Sequence, residues 1–128
     1  MEQKAFTLVE LLVIIAIIGI LSSLIYVQTN NAVNSGNDSK RRSDVALLAS
    51  AARVYSIGGN LPVSSVCSIN RDCPQNINAA LLDQLGSLPA DPDSSKAYTY
   101  ESDGADCTIS AVLSNGSVYS YSCSGGSY

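Results

Sequence analysis

Glu10 is the one charged side chain in a mostly apolar run over residues 6–27, which reads F-T-L-V-E-L-L-V-I-I-A-I-I-G-I-L-S-S-L-I-Y-V. As a helix, this run would extend ~33 Å at ~1.5 Å per residue, enough to cross the hydrocarbon core of a bilayer. A charge in such a helix costs ~2.5–3.5 kcal/mol near the bilayer centre and less toward an end. We therefore expect the carboxylate either to meet an opposite charge or to reach water at the membrane face.

Four cysteines are the other residues with chemistry of their own, and all of them follow the apolar run. They are Cys67, Cys73, Cys107 and Cys123. Their C-x5-C and C-x15-C spacings do not match zinc-finger patterns, and the sequence contains no histidine. Disulfides in an oxidising, extracytoplasmic compartment are therefore predicted, with a zinc site as the weaker alternative. Four cysteines allow three pairings.

The composition argues against an enzyme and against bulk binding of nucleic acid. With no histidine, no paired nucleophile and base, and no glycine-rich phosphate loop, catalysis is not expected. From Ser43 onward, three basic residues stand against eight acidic ones, a balance of about −5 that repels phosphates. No cofactor is expected. Calcium is a weaker alternative, because the acids of the C-terminal third are predicted to be solvated turn residues: Asp91, Asp93, Asp103 and Asp106.

Patterning divides the chain into a polar leader over residues 1–5, an apolar helix over 6–27, a continuation of that helix over 28–57, and a globular head over 58–128. Residues 28–40 are rich in asparagine and read either as a linker or as a loosened stretch of one long helix. Beyond them, apolar residues recur at three- and four-residue steps until Gly58, where a helix stop is predicted.

The apolar run is predicted to be a retained anchor. It is longer than the core of a usual signal peptide, and no clean small-x-small cleavage site follows it. The cysteines place the head outside the cytoplasm. The basic cluster at Lys40, Arg41 and Arg42 would favour the opposite orientation by the positive-inside rule, unless it lies on a helix surface.

The head is predicted to contain one short helix and a small antiparallel sheet. The helix is expected to be capped by Asn76 or Asn78 and closed by Gly86. Strand-like alternation appears over 97–101, 107–113 and 117–123.

Two hairpin registers are open between the last two strands. A two-residue Asn-Gly turn would pair Leu113 with Val118 and would leave Cys107 and Cys123 on opposite faces. A three-residue loop, with Gly116 supplying a positive φ, would bring the two cysteines opposite each other. We favour the three-residue loop for that reason, and Cys67 then pairs with Cys73.

The run K-A-F-T-L-V-E-L-L-V-I-I-A-I-I-G-I-L, residues 4–21, resembles the N-terminal signature of type IV pilins and of type II secretion pseudopilins. The resemblance combines a short leader, a small residue before phenylalanine, and T-L-V-E followed by apolar residues. Family members usually have glycine where this chain has Ala5. Four later stretches also resemble small pilin-like proteins: K-R-R-S-D (40–44), G-G-N-L-P (58–62), L-P-A-D-P (88–92) and Y-T-Y-x-S-D-G (98–104).

The resemblance implies an α+β pilin fold, in which a long N-terminal helix packs on a small disulfide-stabilised antiparallel sheet. It also implies that a prepilin peptidase cuts between Ala5 and Phe6 and methylates the new amine of Phe6. The subunit would then cross the cytoplasmic membrane once, in contact with lipid and with its head outside. Pilus assembly machinery would finally extract it into a homo-oligomeric helical filament at the cell surface.

In that filament, Glu10 of one subunit would pair with the Phe6 amine of a neighbour and set the register of packing. Two alternatives are kept. One is a monomeric, membrane-anchored, extracytoplasmic binding module. The other is a minor or competence-type subunit that contacts DNA through Arg53, Arg71 and Lys96, although the acidic head makes a nucleic-acid partner unlikely.

Overall fold

The computed structural model describes residues 6–125. The elements in chain order are α1 (Leu8–Gly58), β1 (Ser64–Ser68), α2 (Gln75–Leu85), β2 (Thr99–Ser102), β3 (Cys107–Val112) and β4 (Val118–Ser122). The predicted fold class is confirmed: a long N-terminal helix and a small antiparallel sheet form an α+β protein. The predicted leader over residues 1–5 lies outside the described residues.

Helix α1 continues without interruption through residues 28–40, so the asparagine-rich stretch is helical. The chain divides into two compact units, of which one ends at Ser35 and the other begins at Gly36. The boundary therefore lies inside α1, between the two boundaries expected from the sequence. The second part of the helix belongs to the head.

Residues 8–35 of the first unit form a single helical segment, and the side chains of residues 6–26 are exposed. Its hydroxyl groups return to the backbone of the same helix: Ser22 Oγ donates to the Ile18 carbonyl at 2.7 Å and Thr29 Oγ1 to the Ile25 carbonyl at 2.9 Å. A helix that satisfies its polar groups internally is compatible with a bilayer. Within residues 6–125, α1 is the one helix that is long and apolar enough to cross a membrane.

The second unit has a hydrophobic core between α1 and one face of the sheet. The helix contributes a buried stripe at three- and four-residue spacing that includes Val45, Leu48 and Ala52. The sheet contributes every second residue of β2 and β3, among them Tyr100 and Ile109, which lie opposite each other. The same residue types that are exposed in the first unit are therefore buried in the second.

The sheet of the described residues has four strands in the order β1-β2-β3-β4, and all pairings are antiparallel. Strand β1 was not predicted from the sequence. Its sequence, S-S-V-C-S, has too few apolar residues to show alternation, and its pairing with β2 shifts between Ser64 and Cys67. β1 can therefore be identified only from its pairing with β2.

The β3–β4 hairpin has the predicted three-residue loop. Leu113 N–H donates to the Ser117 carbonyl at 2.8 Å, and Gly116 has a φ of 84°, as a residue in the left-handed region of this loop should. The register runs on to the cysteines, where Cys123 N–H donates to the Cys107 carbonyl at 2.7 Å. Disulfides join Cys107 to Cys123 and Cys67 to Cys73.

Of the two predicted caps of α2, the C-terminal one is confirmed and the N-terminal one is wrong. Gly86 closes the helix in the left-handed conformation, and its N–H donates to the Leu82 carbonyl at 2.8 Å. The N-cap prediction is wrong, because the helix starts at Gln75 after Pro74 and both candidate asparagines lie inside it. The Asn78 side chain bonds the preceding loop instead, accepting from Asn70 N–H at 3.1 Å.

Candidate functional site

The start of α1 holds Glu10 in a reciprocal cap with Thr7. Glu10 Oε2 accepts from Thr7 N–H at 3.0 Å and from Thr7 Oγ1 at 2.9 Å, while Glu10 N–H donates to Thr7 Oγ1 at 3.3 Å. This is a capping box, and its sequence pattern of threonine followed three residues later by glutamate was present in T-L-V-E. This local role of Glu10 was not predicted from the sequence, where only its charge in apolar surroundings was considered.

Glu10 is therefore stabilised by hydrogen bonds within its own chain. The negative carboxylate also lies at the positive end of the helix dipole, which favours its charged form. A carboxylate has two oxygens and about four lone-pair positions, so the two Thr7 donors leave capacity for a further donor. The residue can cap its helix and accept a positive group at once.

Phe6 lies directly before the cap, and 79 % of its surface is exposed. The apolar side chains of the next three turns are exposed too, and the part of the chain that the structure describes contributes no cover for them. Ala5, the other residue expected at the processing site, lies outside the described residues. An exposed apolar helix start with a capped carboxylate is suited to burial against lipid or other helices.

The second unit has a buried ionic network centred on Arg41, of which 2 % is exposed. The guanidinium forms a bidentate pair with Asp91, with Nε to Oδ2 and Nη2 to Oδ1 both at 2.9 Å. Its Nη1 donates to Asp38 Oδ1 at 2.8 Å and to Ser114 Oγ at 3.2 Å. One side chain of α1 thereby fixes the loop before β2 and the hairpin loop after β3.

Electrostatics in this network favour the charged forms of both partners. The hydrogen bonds that Arg41 donates to Asp91 raise the pKa of Arg41, and they outweigh the burial that lowers it. Burial raises the pKa of Asp91, but hydrogen bonds from Arg41 and from Asp93 N–H, together with the Arg41 charge, outweigh it and hold that pKa below its usual value. The pair is therefore ionised at neutral pH.

The prediction that the four C-terminal acids are solvated turn residues is wrong for Asp91, whose side chain is 1 % exposed. It is incomplete for Asp106, which accepts hydrogen bonds from the hydroxyls of Ser122 and Ser124 at 2.7 and 2.9 Å. Asp93 and Asp103 do close turns, each by accepting backbone N–H groups two residues on. Within residues 6–125, no three side chains of the metal-ligating types lie together as a metal site would require.

The three basic residues considered for DNA contact each hold a loop of the head. Arg71 donates to the carbonyls of Ser94, Ser95 and Lys96. Lys96 donates to the Leu113 carbonyl at 3.2 Å, and Arg53 donates to the Ser124 carbonyl. Their charged groups therefore hold these loops in place through hydrogen bonds to backbone carbonyls.

Comparison with known proteins identifies the first part of the chain. A family model described as the prokaryotic N-terminal methylation motif matches residues 1–26, which include the capped start of α1. No curated protein and no solved structure matches the chain. By this motif, the chain carries at residues 1–26 the N-terminal signature of type IV pilins and pseudopilins.

Proposed function

We propose that this protein is a structural subunit of a type IV pilus or pseudopilus filament. A prepilin peptidase cleaves it between Ala5 and Phe6 and methylates the new amine, and assembly machinery moves it from the membrane into the filament. The observation that carries the proposal is the methylation motif at residues 1–26 on a helix whose apolar side chains are exposed over 6–26. Such a helix requires lipid first and other helices afterwards.

Glu10 gives this assembly its register. Cleavage creates a positive amine on Phe6, one helical turn before Glu10. In a bundle of staggered helices, the carboxylate of one copy meets the amine of another, and their attraction is larger in a low-dielectric core than in water. A helix that enters at the wrong height leaves a buried charge unpaired, which is strongly destabilising.

The structure supports a test that separates this pairing from the capping role. Glutamine can replace glutamate in a capping box, whereas leucine cannot. Glu10→Gln therefore retains the cap and removes the charge, Glu10→Leu removes both, and Thr7→Ala weakens the cap while leaving the charge. We expect filament yield to fall with both Glu10 variants and to be nearly normal with Thr7→Ala.

The measurements are the mass of sheared filaments, electron microscopy of them, and mass spectrometry of the mature N-terminus. If Glu10→Gln assembles as wild type while Thr7→Ala does not, Glu10 acts only as a cap and the pairing is wrong. Filaments that contain an intact Met1 and no methylated Phe6 would contradict the processing step. Display of the head with no filament at all would favour the monomeric binding module.

A further inference from the structure

Two charged side chains of the head are set apart from all the others. Within residues 36–125, Arg42 and Glu101 are the ones that neither donate nor accept a hydrogen bond and form no ion pair, and both are exposed. The remaining acids and bases of this unit each have at least one such partner, as Lys40 has in Asp44 at 2.5 Å. The head thus presents one uncompensated cation and one uncompensated anion.

Arg42 lies at the β4 edge of the sheet. Its Cζ is 4.8 Å from the centre of the Tyr119 ring, a cation–π contact that holds the guanidinium in place without neutralising it. The preceding residue of β4, Val118, is 61 % exposed. This edge, defined as Arg42, Val118 and Tyr119, therefore combines a fixed positive charge with apolar surface.

Glu101 lies at the opposite edge. It is in β2, directly beside the edge strand β1, and lines a shallow groove with Val63 and Ser65. Val63 is 69 % exposed and Val66 is 63 % exposed. The second edge, defined as Glu101, Val63 and Val66, therefore combines a negative charge with exposed apolar side chains.

We propose that these two edges form one contact between neighbouring copies of this chain. Arg42 of one head pairs with Glu101 of the next, and the exposed valines beside each charge pack together. The inference rests on the proposed function, because the filament brings the heads together. A contact between two different edges of the same molecule does not close on itself under a general rotation, and so it propagates along a helical assembly.

Charge complementarity identifies the occupant as a second copy. The residues from Gly36 onward contain nine acids and six bases, so two heads repel each other on average. A contact that joins the uncompensated cation to the uncompensated anion offsets this repulsion locally. It also disfavours β4-to-β4 and β1-to-β1 approaches, in which like charges would meet.

The first experiment is a zero-length crosslink. Arg42→Lys retains the positive charge and provides an amine that carbodiimide joins to a carboxylate in direct contact. In sheared filaments of the full chain, we expect a crosslinked dimer in which the introduced lysine is bonded to Glu101. The Lys40–Asp44 pair, within one chain, is the internal control for the reaction. Reaction at that control pair without the Glu101 crosslink would overturn the contact.

The second experiment exchanges the charges. Arg42→Glu and Glu101→Arg should each lower filament yield about two- to fivefold, as expected for losing one exposed ion pair, and the double variant should recover it. Asp83→Arg, at an exposed acid of α2, is the matched control and should have no effect. Normal yield from both single reversals, or no recovery in the double variant, overturns this contact and leaves the proposed function standing. Absence of any filament from the wild-type chain overturns the proposed function and the contact with it.

Discussion

Residues 6–35 and residues 36–125 use the same apolar residue types for opposite purposes. In the first region, Leu12 and Ile18 are each 56 % exposed, whereas in the second, Leu48 and Ile109 are fully buried. Both regions share α1, so helix formation does not distinguish them. The difference is that the second region buries its apolar surface within the chain, whereas the described residues leave that of the first region exposed.

Polar groups also differ between the two regions: their partners are local in the first region, whereas the second region also has partners that are distant in sequence. The cap between Thr7 and Glu10 is local and spans three residues, whereas the Arg41–Asp91 pair joins positions that are 50 residues apart. Within the described residues, no buried side-chain nitrogen or oxygen lacks a hydrogen-bond partner. The head therefore has little tolerance for the loss of a single buried partner, because the remaining group would be left without one.

The largest effect should follow from Arg41→Met, which removes the centre of the head's ionic network. Asp91 would then be a buried charge that keeps its hydrogen bond from Asp93 N–H but has lost its ion-pair partner, and breaking a buried pair in this way costs about 3–5 kcal/mol. Denaturant unfolding of the full chain in detergent, followed by near-ultraviolet circular dichroism of the buried tyrosines, measures this cost. Far-ultraviolet signal from the first region should persist.

The control is Arg42→Met at the neighbouring, exposed arginine. It loses a cation–π contact worth about 0.5–1 kcal/mol and leaves no buried charge behind. Equal destabilisation by the two methionine variants would contradict the assigned role of the network.

The two disulfides should differ in what they contribute to the head. The Cys107–Cys123 pair closes a separation of 16 residues and the Cys67–Cys73 pair one of 6. The chain-entropy relation gives roughly 3 kcal/mol for the longer loop and about 2 for the shorter one. All four cysteines are buried, so replacing each pair by alanines perturbs packing similarly and the difference in unfolding free energy reports the loops. A larger loss from the 67–73 pair would show that local strand pairing outweighs loop length.

Acid tests the Arg41–Asp91 pair without a mutation. Because the pKa of Asp91 is lower in the folded head than in the unfolded chain, its contribution is complete above the unfolded value of about 3.9 and is lost as the pH falls toward the folded value. Unfolding midpoints measured between neutral pH and about pH 2 should therefore fall only below about pH 4. In Asp91→Asn, that acid-induced fall should be reduced. A fall of the same size in this variant would assign the acid sensitivity to other carboxylates.

Sequence reasoning succeeded where the signal is local. The apolar run and the glycines that end the helices depend on residues within one or two turns of each other. The hairpin register depends on two cysteines in adjacent strands, at positions 107 and 123. Sequence reasoning failed where a residue's role depends on a distant partner. Nothing near Asp91 in the chain indicates that Arg41 lies against it, and β1 is defined by β2. The capping box at Thr7 and Glu10 could have been predicted from T-L-V-E. The prediction for Glu10 considered its charge in apolar surroundings instead.

The smallest expected effect tests whether the boundary between the two regions also separates two folding units. Gly36 begins the head, lies inside α1, and an added Cβ there would meet nothing within 4 Å. Gly36→Ala should therefore stabilise the helix by about 0.5–1 kcal/mol, which is the usual cost of glycine relative to alanine in a helix interior. Gly19→Ala is the matched change in the first region, where the added Cβ also meets nothing within 4 Å.

If the head unfolds as its own cooperative unit, Gly36→Ala raises the denaturant midpoint of the full chain as reported by the buried tyrosines, and Gly19→Ala leaves it unchanged. The far-ultraviolet helical signal of the first region should not follow the tyrosine signal of the head, because the proposed partners of the first region are lipid and other copies. Equal shifts from both variants would mean that α1 transmits stability along its whole length, and the border at residues 35–36 would then separate two kinds of surface within one folding unit.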